Sequence, residues 1–191
     1  WQRSVFGKSR LKINSDFTLM LDATHEPVKS PRQLAQVPSK FEIKRRQFND
    51  AEKGFWLKFG IDEQTLKRFN VSSLEEFSTT SKIGNPYTTK SSFDKFIFAY
   101  ESDNWVKLYK PLDEKKYKFQ YLGTKEQGFI FGWKQLPESG ELLIITGGEK
   151  DVMTLAAKGF NAITLNSETA TLPKNIVDEL KLRFKTILVL Y

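Results

Sequence analysis

Cysteine is absent from the 191 residues, which excludes disulfide staples and every cysteine-based zinc site, so the fold has to hold through its core alone. There is one histidine, His25, set among loop-forming residues, a placement that speaks against a catalytic histidine. No apolar run approaches the 18 or so residues of a membrane-spanning helix. Nor does a charged stretch followed by an apolar one mark a secretory leader. A hydrophobic fraction of 39% over this length suffices for one domain or two small ones, each with its own core. Charge is not scarce, but acidic charge is: the formal net charge is +7. The excess lies early, with 12 Lys/Arg against 6 Asp/Glu in residues 1–60 and 13 against 12 in residues 101–191. Such a surface suits phosphate-bearing partners, and it equally serves plain solubility.

The strongest local pattern is in the last third. Leu142-Leu143-Ile144-Ile145-Thr146 is an apolar β run that enters Gly147-Gly148-Glu149-Lys150-Asp151, a glycine-rich acidic turn, and then a helix-forming stretch from Val152 to Lys158. A second β segment follows at Asn161–Leu165, a helix opens near Pro173, and a third β segment runs from Thr186 to Leu190. Strand, helix, strand, helix, strand places polar residues at the carboxyl ends of parallel strands, where ligands are usually bound. Glu149 and Asp151 could share a hard cation there through oxygen ligands, or Asp151 could do no more than cap the helix.

This arrangement resembles a Toprim domain, the module shared by bacterial primases, type IA and type II topoisomerases and some nucleases. Gly148 and Asp151 occupy the positions of the family's glycine and aspartate, whereas Gly147 stands where the family has a glutamate. The Asp-x-Asp pair that follows the family's third strand would begin at or next to Tyr191, so the sequence reads as a piece of a longer protein. Upstream, Phe55–Ile61 with Thr65–Val71, then Ser92–Tyr100, then Lys116–Gly123, then Gly128–Trp133 are similar, in that order, to segments of bacterial and phage primases. The resemblance covers about residues 40–191 and implies the RNA-polymerase core of a DNA primase of the phage or mobile-element kind. That in turn implies synthesis of short RNA primers from ribonucleotides on single-stranded DNA, Mg2+ or Mn2+ held by Glu149 and Asp151 as catalytic and metal residues, a helicase domain or protein as partner, and a cytoplasmic location. With Gly147 in place of the glutamate, either Glu149 has taken over the role or the domain binds nucleic acid without full catalysis. A Toprim nuclease or topoisomerase is disfavoured by the primase-like upstream segments.

The expected fold class is α+β: residues 1–40 form the tail of a preceding module plus a linker, 41–140 a mixed helical and β subdomain, and 141–191 a partial Toprim-like α/β domain. Alternation at Leu11, Ile13, Phe17, Leu19 and Leu21 suggests strands in the first part, and Pro27, Pro31 and Pro38 mark the linker. Asn49 or Asp50 should cap a helix carrying Phe55, Trp56 and Phe59 and ending at Gly60, and Asp62 should cap a second helix to Phe69. Ser72 or Ser73 with Glu75 or Glu76 predicts a further short helical turn. From Phe93 to Trp133 period-two alternation predicts strands, with a hairpin turn at Ser102-Asp103-Asn104.

Lys95, Lys107, Lys110, Lys116 and Lys118 are interleaved with Trp105, Tyr109, Tyr117 and Phe119. Cations for phosphates and rings for bases make a single-strand surface, and Lys95, Lys107, Lys116 and Lys118 are the candidate nucleic-acid contacts. The same spacing also describes an ordinary amphipathic strand with buried rings and solvated lysines. Asn166 and Ser167, after the second β segment, are candidate phosphate or base contacts or simply a loop before the next helix.

Overall fold

The structure is a computed structural model that describes residues 40–81, 83–165 and 170–190. The expectations for residues 1–39, His25 among them, and for Asn166 and Ser167 lie outside the described residues. The architecture is α+β, with two sheets of opposite character.

The first sheet is antiparallel. Its strands are β1 (Glu42–Arg46), β2 (Val71–Thr80), β3 (Pro86–Lys90), β4 (Phe98–Glu101), β5 (Trp105–Tyr109) and β6 (Phe119–Gly123), in the order β1-β2-β4-β5-β6, with β3 continuing beside β2. Two helices, α1 (Asp50–Leu57) and α2 (Glu63–Arg68), connect β1 to β2. Asn49 caps α1 in a capping box: its side chain accepts from the Glu52 amide at 2.9 Å while the Glu52 carboxylate accepts from the Asn49 amide at 3.0 Å. Asp62 caps α2 through the Thr65 amide at 2.7 Å. The β4–β5 hairpin turns at Ser102–Asn104, where the Ser102 amide reaches the Trp105 carbonyl.

One sequence expectation fails here. Residues 72–76 are not a helical turn but the heart of β2, a ten-residue strand. β2 is paired to β1 on one edge and to β4 and β3 on the other. The hydroxyl that would have capped a helix, on Ser73, instead donates to the buried Glu52 carboxylate at 2.8 Å. Three strand partners supply more hydrogen bonds than a single local cap, so tertiary pairing overrides the Ser–Glu signal.

The second sheet is parallel, formed by β7 (Gly140–Thr146), β8 (Asn161–Thr164) and β9 (Phe184–Leu190) in the order β8-β7-β9, with α3 (Glu149–Ala157) and α4 (Lys174–Arg183) as the crossovers. Val152, Met153 and Ala156 of α3 pack on the Ile144 side of β7, and Leu180 of α4 packs with Leu143, Ile145 and Ile163 on the other. Helices on both faces are what a parallel sheet needs to bury its apolar strands.

The two sheets share one core. Trp56, Leu66 and Phe69 from the helical segment, Phe98, Tyr100 and Tyr109 from the first sheet, and Ile144, Val152, Met153 and Ala162 from the second form a continuous buried cluster. Phe131 completes the junction by exchanging two backbone hydrogen bonds of 3.0 Å with Thr164, which covers the edge of β8. Gly132 follows with φ +89°, and a Cβ there would meet the Ala162 carbonyl oxygen at 2.6 Å. Phe131 and Gly132, within the Gly128–Trp133 segment, thus seat the connecting loop against the parallel sheet, where only glycine fits at position 132.

Candidate nucleic-acid interface and acidic helix terminus

On β5, residues Trp105, Lys107 and Tyr109 point to the same face, because successive side chains alternate. Register extends this face into rows. Tyr100 of β4 lies opposite Lys107, which lies opposite Tyr121 of β6, and Tyr109 lies opposite Phe119. Near β4 the face is covered by the helical segment and its rings are buried. Toward β6 it emerges: Phe119 and Tyr121 are 46% and 43% exposed. Tyr109 and Phe119 stack with centroids 5.1 Å apart. The Lys107 ammonium lies 4.5 Å from the Phe119 centroid and 5.8 Å from that of Tyr121. Lys125 lies 4.4 Å from the Tyr121 centroid and donates to the Tyr121 hydroxyl at 3.1 Å.

The acidic stretch lies against this face. α3 begins at Glu149, three residues before the helix start expected from the sequence, so Glu149 and Asp151 occupy its first turn, where carboxylates are favoured by the helix dipole. Gly148 is the cap residue and offers no side chain. The Asp151 carboxylate bends back toward it, 3.3 Å from where a Cβ of residue 148 would sit. Asp151 is exposed. Glu149 is not free: its carboxylate accepts a hydrogen bond from, and is ion-paired with, Lys107. The strand lysine and the helix glutamate, 42 residues apart, are brought together by the shared core.

A cleft of about 430 Å³ opens beside this pair, lined among others by Asn70, Tyr100, Glu101, Trp105, Lys107 and Glu149. Burial, then the negative charges of Glu149 and Asp151 together with Tyr109, push the Tyr100 phenol well above its usual range, so it remains a neutral donor. Burial alone would raise Glu101, but hydrogen bonds from Arg45 and Ser72 outweigh it and hold the carboxyl below the ordinary glutamate value.

The other candidate lysines are not gathered at this cleft. Lys95 is exposed in a tight turn with Ser92, ahead of β4. Lys116 is exposed on a short 3₁₀ turn, pairs with Glu114 at 3.4 Å and lies 4.7 Å from the Tyr117 centroid. The Lys118 carbonyl accepts from the Lys110 amide, beyond the last residue of β5. Sequence reasoning passed over Lys125 and Tyr100. The odd-number parity of Trp105, Lys107 and Tyr109 was the available signal that lysine and rings share a face.

Magnesium rests on one or two carboxylates together with waters and substrate phosphates. Glu149 and Asp151 could supply the two carboxylates, but Lys107 engages the first. No group of three or more His, Asp or Glu able to hold a metal exists among the described residues. This donor set fits a cation that arrives with a phosphate ligand better than a cage preformed by protein alone.

No protein-family model matches the chain, and no curated protein matches it. Among solved structures, the chain is similar to a chain of the structure of bacteriophage T7 lagging-strand DNA polymerase interacting with primase domains of two gp4 subunits bound to an RNA/DNA hybrid and dTTP. That match has 14% identity, a TM-score of 0.46 and coverage of 76% of this chain and 63% of the other. It is also similar to the DnaG catalytic core, with 14% identity, a TM-score of 0.47 and coverage of 73% and 54%. In both cases the chain spans less than two thirds of the structure it resembles.

Proposed function

We propose that this chain is part of a DNA primase core that binds single-stranded DNA and ribonucleotides and contributes to the synthesis of short RNA primers in DNA replication. The ordered primase-like segments and the Toprim-like strand–turn–helix motivate the reading. The observation that carries it is the meeting of the half-exposed aromatic and lysine face of β5 and β6 with the acidic first turn of α3. In this reading Phe119 and Tyr121 stack on bases while Lys107, Lys125 and, further along the strand ends, Lys95, Lys116 and Lys118 meet phosphates. Asn166 and Ser167, which follow β8 in the sequence, would add phosphate or base contacts. Asp151 and Glu149 would hold Mg2+ or Mn2+, which when bound offsets charge on phosphate oxygens. A helicase domain or protein is the proposed replication partner.

A second reading, binding without catalysis, is favoured by one specific fact: Gly147 stands where the resembled family has a glutamate, and the nearest replacement, Glu149, is neutralised by Lys107. Two measurements test and separate these readings. Fluorescence anisotropy with a single-stranded oligonucleotide should show binding that weakens steeply with salt; affinity unchanged from low to high salt rejects both. Incorporation of labelled ribonucleotides on that template should be negligible for the 191 residues alone, and should be recovered by a longer protein only if the first reading holds.

A further inference from the structure

We propose that Lys107 and Glu149 form a masked double site, in which Lys107 takes a phosphate group and Glu149 a divalent cation, and the two ligands enter together in exchange for the ion pair. This rests on the nucleic-acid reading above only for the identity of the natural phosphate; the exchange itself follows from the geometry.

Both members of the pair are largely withdrawn from water: the Lys107 side chain is 13% exposed and that of Glu149 19%. The rest of the immediate surroundings is aromatic. Phe119 and Tyr121 present ring faces to the ammonium, and Tyr100 lies across the strand. Ring faces attract a cation but cannot accept its proton as a carboxylate does. Two other carboxylates line the cleft: Glu101, which is already held by Arg45 and Ser72, and Asp103, which pairs with Lys134 at 3.7 Å. Glu149 is the one anion bonded to Lys107 among the described residues. Separating a poorly hydrated pair leaves two uncompensated charges, which is far costlier than the pair itself.

A phosphate alone could replace Glu149 on Lys107, but it would strand a carboxylate beside a second anion. A divalent cation alone could replace Lys107 on Glu149, but it would strand an ammonium beside a dication. Arriving together, each ligand satisfies the group that the other one's entry sets free. The phosphate also ligates the metal, the donor pattern magnesium prefers, with exposed Asp151 in the same helical turn as a further oxygen donor. The cleft has room, and Lys67 and Lys134 line it as well. The neutral Tyr100 hydroxyl can donate to carboxylate or phosphate alike.

The consequence is coupling that must be reciprocal, and it is measurable on the 191-residue chain. The probes are Mn2+, followed by electron paramagnetic resonance, and inorganic phosphate, which complexes divalent ions weakly in solution, followed by equilibrium dialysis. For the unsubstituted chain, each ligand should tighten the other about 10-fold or more. Glu149→Gln should bind phosphate more tightly than the unsubstituted chain when no metal is present, and Lys107→Met should bind Mn2+ more tightly when no phosphate is present. In both variants the coupling should fall to near unity. Variants that lose affinity for both ligands, or leave the coupling intact, would make the pair a structural brace and overturn the proposal. Should either variant not fold, phosphate binding to the unsubstituted chain that ignores Mn2+ overturns it without any substitution. Single-stranded DNA binding measured on the same preparations reports separately on the nucleic-acid reading, so that coupling can fail while DNA binding stands, or the reverse.

Discussion

Single residues differ sharply in what their charges do. Glu52 is fully buried, and it is held by Arg46 at 2.7 Å, by the Ser73 hydroxyl and by the Asn49 amide. Arg46→Met should strand that carboxylate and destabilise the fold by about 3 kcal/mol, near the low end for a broken buried pair because Arg46 is partly exposed. Lys44, two residues earlier on β1, pairs with Glu75 in open solvent, and Lys44→Met should leave the urea midpoint unchanged within error. Glu101 adds a pH dependence. Its carboxyl is depressed in the folded state relative to the ordinary value near 4.5, so its stabilisation is fully present above that value and is lost as pH falls through the lower folded value. Comparing Glu101→Gln with the unsubstituted chain by acid titration of the unfolding midpoint should show the difference shrinking below about pH 4.5. A constant difference down to strongly acid pH would contradict the linkage.

At the scale of elements, capping and pairing set the boundaries. Asn49→Ala removes the cap of α1 and should cost about 1 kcal/mol in urea denaturation. The cost is exacted at the core, because the same helix carries Trp56, which has no exposed surface. β9 presents a different feature. It pairs with β7 on one edge, and Leu188, Val189 and Leu190 are each about half exposed. Among the described residues β9 has no strand on its other edge, and an apolar strand with a free edge invites pairing between chains. The 191-residue chain should therefore self-associate with rising concentration in analytical ultracentrifugation, and Val189→Lys should suppress this. Equal association of both proteins would exonerate the strand.

For the molecule as a whole, the shared core predicts joint behaviour. Phe98 and Tyr109 of the first sheet, Trp56 of the helical segment and Ile144 of the second sheet lie in one cluster. Thermal unfolding followed by tryptophan fluorescence and by far-ultraviolet circular dichroism should therefore coincide in one transition for residues 40–190. Two separated transitions would mean that the sheets melt independently. The proposed nucleic-acid face also has a whole-molecule signature. Phe119→Ala and Tyr121→Ala should each weaken single-stranded DNA binding by about 1–3 kcal/mol while leaving its salt dependence alone. Lys125→Gln should instead reduce the salt slope by about 1. Ring substitutions that changed only the salt slope would show that bases do not stack there.

What the sequence determined by itself is whatever depends on near neighbours. The apolar run Leu142–Thr146, the glycine pair after it and the capping residues Asn49 and Asp62 act over a few residues, and each is found where those signals place it, while the alternation read over Phe93–Trp133 becomes strand only in β4, β5 and β6, with Tyr117 in a 3₁₀ turn. The absence of cysteine likewise settles at once that no covalent staple takes part. Tertiary structure decided the rest. Residues 72–76 carry a helix-start signal yet form a strand, because partners from β1, β3 and β4 outweigh one local cap. Lys95, Lys107, Lys116 and Lys118 read as one set in sequence. Only Lys107 reaches the acidic helix terminus, because the junction of the two sheets, seated by Phe131 and Gly132, brings α3 onto β5. Pairing a lysine with a glutamate 42 residues away needs a packed core between them, and local preferences contain no information about which faces that core will bring together.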